Sequence, residues 1–197
     1  MTHLSHSYFI VAMLVGLIVL AVAASISDFK FRRIPNQYLI WAIYFWASIY
    51  ICIALLFPFK MFLMGFLISL LGMLMGGLFL YPSYHIKQVG AGDVKLAMVF
   101  GLFLGFKGAM LSVLMGAMVG GVWALALAWK YGGLKHMWYN IKFMARSVYL
   151  SGFKDMGWDL KSEGAITMPY GIALSIGASM IAAEQIFIHV QKIMALG

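Results

Sequence analysis

Carboxylates are scarce in this chain: of 197 residues only six are Asp or Glu, against 14 Lys and Arg. Cysteine is scarcer still. The one present, Cys52, excludes any disulfide framework within the chain and any zinc site built on paired cysteines. Charged residues make up 10%, where a soluble domain usually carries roughly 25%, so an ordinary soluble fold is excluded. Residues 1–8 contain no Lys or Arg, which argues against a secretory signal with its positive n-region. "AVAAS" at 21–25 imitates a cleavage site, but the stretch before it is long for a signal, and it reads as a retained transmembrane helix. His3 and His6 have neither cysteine nor carboxylate beside them, so they read as solvated terminal histidines rather than as a metal site.

What the chain has instead is hydrocarbon. Hydrophobic residues make up 64% and the mean hydropathy is +0.95. They come in long blocks, at about 8–27, 37–59, 61–82, 94–106, 108–129 and 165–190. Most of these approach the roughly 20 residues a bilayer span needs. Lipid cannot satisfy backbone polar groups, so the blocks must be helices. The expectation is an all-α polytopic membrane protein of about six transmembrane helices, forming a single integral-membrane domain over residues 1–197. Six spans place Lys30, Arg32, Arg33, Lys87, Lys95, Lys130, Lys135, Lys142, Arg146, Lys154 and Lys161 on one side. Only Lys60, Lys107 and Lys192 remain on the other. That asymmetry obeys the positive-inside rule and puts both termini outside the cytoplasm. The formal net charge of +8 is thereby accounted for without nucleic acid.

Against this background two aspartates stand out. Asp28 follows the first apolar block, Asp93 opens the fourth, and the predicted topology puts both at the cytoplasmic face. Asp155, Asp159 and Glu163 cluster in the polar 130–163 segment, and Glu184 lies in the last block. An ionisable residue at a membrane span is costly and is by default a functional-site candidate. The plain alternative is that Asp28 pairs with Lys30 or Arg32 and Asp93 with Lys95, marking interface boundaries. Two carboxylates that face each other do more: repulsion separates their ionisations and leaves one acid and one base. That is equipment for activating water against a peptide bond. Gly90 and Gly92 precede the second aspartate. Glycine there permits unusual backbone angles and close approach of another chain, such as a substrate held extended.

"SISDFKFRRIPN" (25–36), "GAGDVKL" (90–96) and "MPYGIAL" (168–174) together resemble the type IV prepilin peptidases, the bacterial branch of the GxGD intramembrane aspartyl proteases. The resemblance implies that Asp28 and Asp93 are catalytic. It implies that Pro35 and Asn36 of the Ile-Pro-polar motif, Gly90, Gly92, Lys95, Pro169, Tyr170 and Gly171 shape the site or bind substrate. It further implies no metal and no cofactor. The implied partner is a prepilin or pseudopilin with a short basic leader, cut after a glycine just before a hydrophobic helix. Larger relatives carry a cytoplasmic domain with paired Cys-x-x-Cys zinc ligands and also N-methylate the product. Here about nine residues separate the first two blocks, so the layout resembles the compact peptidases of tight-adherence (Flp) pilus systems, and cleavage without methylation is expected. Archaeal preflagellin peptidases share the two aspartates. A proton-coupled transporter using them is the rival from another class, but it should show repeated halves around a midplane site, and no repeat is visible. A structural role in a secretion complex is the third alternative, and it predicts that both aspartates are replaceable.

Other features have simpler readings. Gly72-x3-Gly76, Gly101-x3-Gly105 and Gly116-x3-Gly120 suit close helix packing within the chain, with a homo-oligomer face as the alternative. The 16 methionines read as adaptable packing. The tryptophans suit interface belts or span packing, and His85 an interface histidine. In 134–148, Leu134, Met137, Trp138, Ile141, Ala145 and Val148 recur at helical spacing while Lys135, Lys142 and Arg146 fall off the stripe. That predicts an amphipathic surface helix before the last span. Pro169 is also well suited to a helix start, and Lys95 to a surface anchor or to a partner that keeps one aspartate ionised.

Overall fold

A computed structural model describes residues 2–85, 89–130 and 170–196. All of its described regular structure is helical: α1 (Thr2–Phe31), α2 (Asn36–Leu56), α3 (Phe59–His85), α4 (Ala91–Lys130) and α5 (Tyr170–Leu196). Among the described residues, these 5 helices are long and apolar enough to cross a membrane. The expected amphipathic helix at 134–148, Pro169 and the acidic cluster of Asp155, Asp159 and Glu163 lie outside the described residues.

The helices overrun the apolar blocks. α1 continues past Asp28 to Phe31, because hydrogen bonding along the backbone does not stop where the side chains become polar. It ends where Arg32 turns left-handed, with φ 52, and its N–H bonds back to the Asp28 carbonyl at 3.0 Å. That is a helix C-cap formed without glycine. Pro35 then starts α2 at φ −63, the value its ring fixes in advance.

Inside α4 the helix is broken once, at Gly105 (φ 69, ψ −179). The glycines show what happens there. A methyl on Gly76 would overlap the Ala97 carbonyl, one on Gly72 the Gly101 carbonyl, and one on Gly105 the Ile68 side chain. Residue numbers rise on α3 as they fall on α4, so residues 91–104 run antiparallel to α3. Beyond the break, Gly108 faces Ile181 and Gln185, while Gly116 packs on Ala173, Leu174 and Gly177. Residues 106–130 therefore run antiparallel to α5. Since Gly171 touches Asp28, the second arm returns toward the end of the bundle from which the first set out. α4 is a helical hairpin with Gly105 at its tip, and the Gln185 side-chain amide donates to the Leu104 carbonyl there at 3.4 Å.

In lipid, helix association rests on close packing and interhelical hydrogen bonds rather than on expelling water. Both are present. The glycine faces bring α3, α4 and α5 into backbone contact, as their spacing predicts for packing within the chain. Between α2 and α3, the Tyr50 hydroxyl and Ser69 Oγ lie 2.8 Å apart. Trp46 is buried and packs on Tyr50 with ring centroids 4.4 Å apart. Leu14, Leu17, Ala24, Leu96, Phe100 and Leu174 form the fully enclosed centre. Cys52 is exposed on α2.

Candidate active site

Four segments meet at one end of the bundle: the end of α1, the 32–35 connector, the start of α4 and the start of α5. Asp28, in the last turn of α1, is buried (6% exposed). The backbone N–H groups of Gly171 and Ile172 are directed at its carboxyl. A helix N-terminus carries unpaired N–H groups and partial positive charge, so α5 favours an anion at this position. The Asp28 Oδ2 is nevertheless a buried oxygen with no hydrogen-bond partner. The positive group acting on Asp28 is Arg32, one turn along the same chain.

Asp93 occupies the first turn of α4. Its Oδ2 accepts a hydrogen bond from the Gly90 N–H at 3.2 Å, the backward limb of a capping box. It is partly buried and close enough for the charge of Asp28 to act on it directly. Tyr170 is the third member of this group, within electrostatic reach of Asp93. Residues 65 positions apart in sequence thus share one pocket of charge, each held at a helix N-terminus.

The glycines play different parts from those their flexibility suggested. Among the described residues the positive-φ glycine is Gly105, so neither Gly90 nor Gly92 uses an unusual backbone angle. Their contribution is space. A Cβ on Gly90 would lie 3.3 Å from the Asp93 Oδ2, whereas one on Gly92 would make only ordinary contact, 3.6 Å from the Ile34 Cβ. Gly171 is the stricter case: a Cβ there would sit 2.7 Å from the Asp28 Oδ2. Only glycine lets the α5 amides come this close to the carboxyl.

Lys95 reaches across to the connector and donates to the Asn36 Oδ1 at 3.3 Å. It thereby joins the start of α4 to the start of α2. Pro35 sets the angle of that junction. Ser27 Oγ donates to the Arg33 carbonyl at 2.8 Å, folding the connector back over the end of α1. Ile34, the first residue of the Ile-Pro-polar motif, is the one to which the sequence reading gave no role of its own. Its side chain lies against both Gly92 and Gly171, wedged between the starts of α4 and α5. The available signal was an isolated aliphatic residue in an otherwise basic connector. His85 ends α3 and packs beside Tyr81, ring centroids 6.3 Å apart. Among the described residues, no three of His, Cys, Asp and Glu come together as a metal-ligand group.

The type IV leader peptidase family matches residues 8–125, more than half of the chain. The chain belongs to that family. No curated protein and no solved structure matches it. The matched range of this leader-peptidase chain includes Asp28, the Ile34-Pro35-Asn36 connector and Gly90 to Lys95, but stops before Tyr170 and Gly171. The last two are tied to the site by geometry. Membership in the family makes the protein a peptidase, and its helices make it a multi-pass membrane protein.

Proposed function

We propose that the protein is an intramembrane aspartyl endopeptidase, which removes the short basic leader of type IV (Flp-like) prepilins and pseudopilins at the cytoplasmic membrane face. The observation that carries the reading is the meeting of Asp28 and Asp93, the two aspartates at helix ends, at one end of the bundle. In the working state one carboxyl is ionised and the other protonated, and the apparent pKa values belong to the pair. The ionised member takes a proton from a water, whose oxygen attacks the scissile carbonyl. The protonated member hydrogen-bonds that carbonyl and supports the developing oxyanion. Collapse of the tetrahedral intermediate breaks the C–N bond, and a proton returned to the amine releases the mature N-terminus.

The same reading places six spans in the inner membrane, the α4 hairpin supplying two of them, with both termini non-cytoplasmic. The basic-residue asymmetry supports it. Residues 1–197 act as one peptidase domain, needing neither metal nor cofactor for this chemistry, and the product leaves unmethylated. The test is co-expression with candidate prepilins and mass spectrometry of the product. Leader removal with a free N-terminus is expected from the wild type and none from Asp28→Asn or Asp93→Asn. Robust cleavage by either variant would sink the dyad.

A further inference from the structure

At the end of the bundle opposite the aspartates, the short first arm of α4 leaves a space. Residues 91–104 rise about 21 Å at ~1.5 Å per residue, against a hydrocarbon core of about 30 Å. The tip at Phe103, Leu104 and Gly105 forms the floor of a partly open cavity of about 510 Å³. That is within the range of about 300–1,000 Å³ typical of ligand sites. The interior is apolar, walled by residues such as Phe9, Ile10, Met13 and Ile53. His6, Gln185 and His189 form one polar wall, while Tyr50 and Ser69, hydrogen-bonded to each other at 2.8 Å, line the α2–α3 side. Lys192, one helical turn beyond His189, acts on it electrostatically, as does His6. The Nδ1 of His189 is buried without a hydrogen-bond partner. No Asp or Glu lines the cavity.

We propose that this cavity holds a phospholipid with an anionic headgroup, its acyl chain above the Gly105 tip and its phosphate facing His6, His189 and Lys192. A wall made mostly of Phe, Ile, Met and Leu side chains at membrane depth suits a hydrocarbon chain. A mouth lined by His6 and His189, with the Lys192 ammonium one turn beyond and no carboxylate among the lining residues, suits a negative headgroup by charge complementarity. The occupant fills the bundle where the hairpin is too short to do so, and buttresses the tip. The site is separate from the aspartates and does not depend on their role.

The test uses the full-length protein, delipidated in mild detergent and followed by native mass spectrometry and thermal unfolding. One phosphatidylglycerol per chain should be retained, with a raised melting temperature, where phosphatidylcholine is retained about tenfold less. Inorganic phosphate alone should give no protection. His189→Gln combined with Lys192→Gln should bring phosphatidylglycerol down to the phosphatidylcholine level. Gly65→Leu fills the cavity; a Cβ at Gly65 makes only ordinary contact, 3.4 Å from the Tyr50 hydroxyl, and this variant should lose both lipids. If it does not fold, the headgroup variant decides alone. Equal retention of the two lipids, protection by phosphate, an unchanged double variant, or closure of the cavity by a second copy of the chain would each overturn the proposal.

Discussion

Asp28 carries an imbalance that the fold tolerates. Two backbone amides address its carboxyl, yet Oδ2 is buried without a partner, an arrangement that ordinarily costs roughly 1–3 kcal/mol. If Asp28 and Asp93 act as one unit, replacing both should be no worse than replacing either, because groups acting together are strongly non-additive. Initial rates of leader removal for Asp28→Asn, Asp93→Asn and the double variant, each at matched membrane abundance, check this; a double variant further impaired than both singles would contradict it. Gly171 offers a subtler probe. A methyl 2.7 Å from the Asp28 Oδ2 must push the carboxyl off its position. Displacement of about 1 Å can cost about 100-fold in rate. Gly171→Ala is therefore expected to insert and accumulate normally while its cleavage rate falls by about that factor. A rate within twofold of wild type would show that the approach of α5 is not critical.

At the scale of elements, the α4 hairpin depends on one residue. Gly105 lies at φ 69, ψ −179, a region open essentially to glycine and costing other residues about 1–3 kcal/mol. An added Cβ would also come within 2.8 Å of the Ile68 Cγ2. Gly105→Ala should destabilise the protein by about 2 kcal/mol, read as earlier thermal unfolding and faster proteolysis, whereas Gly121→Ala, with nothing within 4 Å of its Cβ, should not. The turn also shows how far the sequence could be read. Two apolar blocks with a boundary at 106–108 were visible from composition. A reversal between them was expected as well, since six spans put Lys107 opposite Lys95 and Lys130. Its placement at Gly105 was not legible, because φ at one glycine depends on tertiary contact with Ile68 and on the hydrogen bond between Gln185 and Leu104, 81 residues apart in sequence. The site was readable where chemistry is rare: two aspartates at span ends, glycines beside one, a proline after the other. It was unreadable where ordinary residues are used for shape. Ile34 looked like any aliphatic side chain, and the position of Gly171 against Asp28 emerges only when α1 and α5 pack. Lys95, a candidate partner for an aspartate, instead bonds Asn36, a choice set by the path of the connector.

Among the described residues, Lys30, Arg32, Arg33, Lys95 and Lys130 sit at the aspartate end of the helices, and Lys60, Lys107 and Lys192 at the other. If six spans order that asymmetry, single cysteines placed at positions 87 and 142, in a background lacking Cys52, should be shielded from impermeant thiol reagents in intact cells. One at Lys107, exposed beside the hairpin tip, should be labelled. Labelling at 142 without labelling at 87 would remove the sixth span.

The hairpin also constrains how the chain enters the bilayer. Its first arm carries Asp93 and Lys95 and is shorter than the membrane, so during synthesis it is a poor start for translocation on its own. Residues 106–130, without an acidic group and rich in Leu, Met and Val, supply the missing insertion energy, and the two arms are expected to enter together as a loop. A chain ending at residue 105, tagged there with a glycosylation acceptor and translated with microsomes, should leave its first arm unintegrated. One ending at 130 should integrate both. Stable integration of the shorter chain would mean that the arm bearing Asp93 anchors itself.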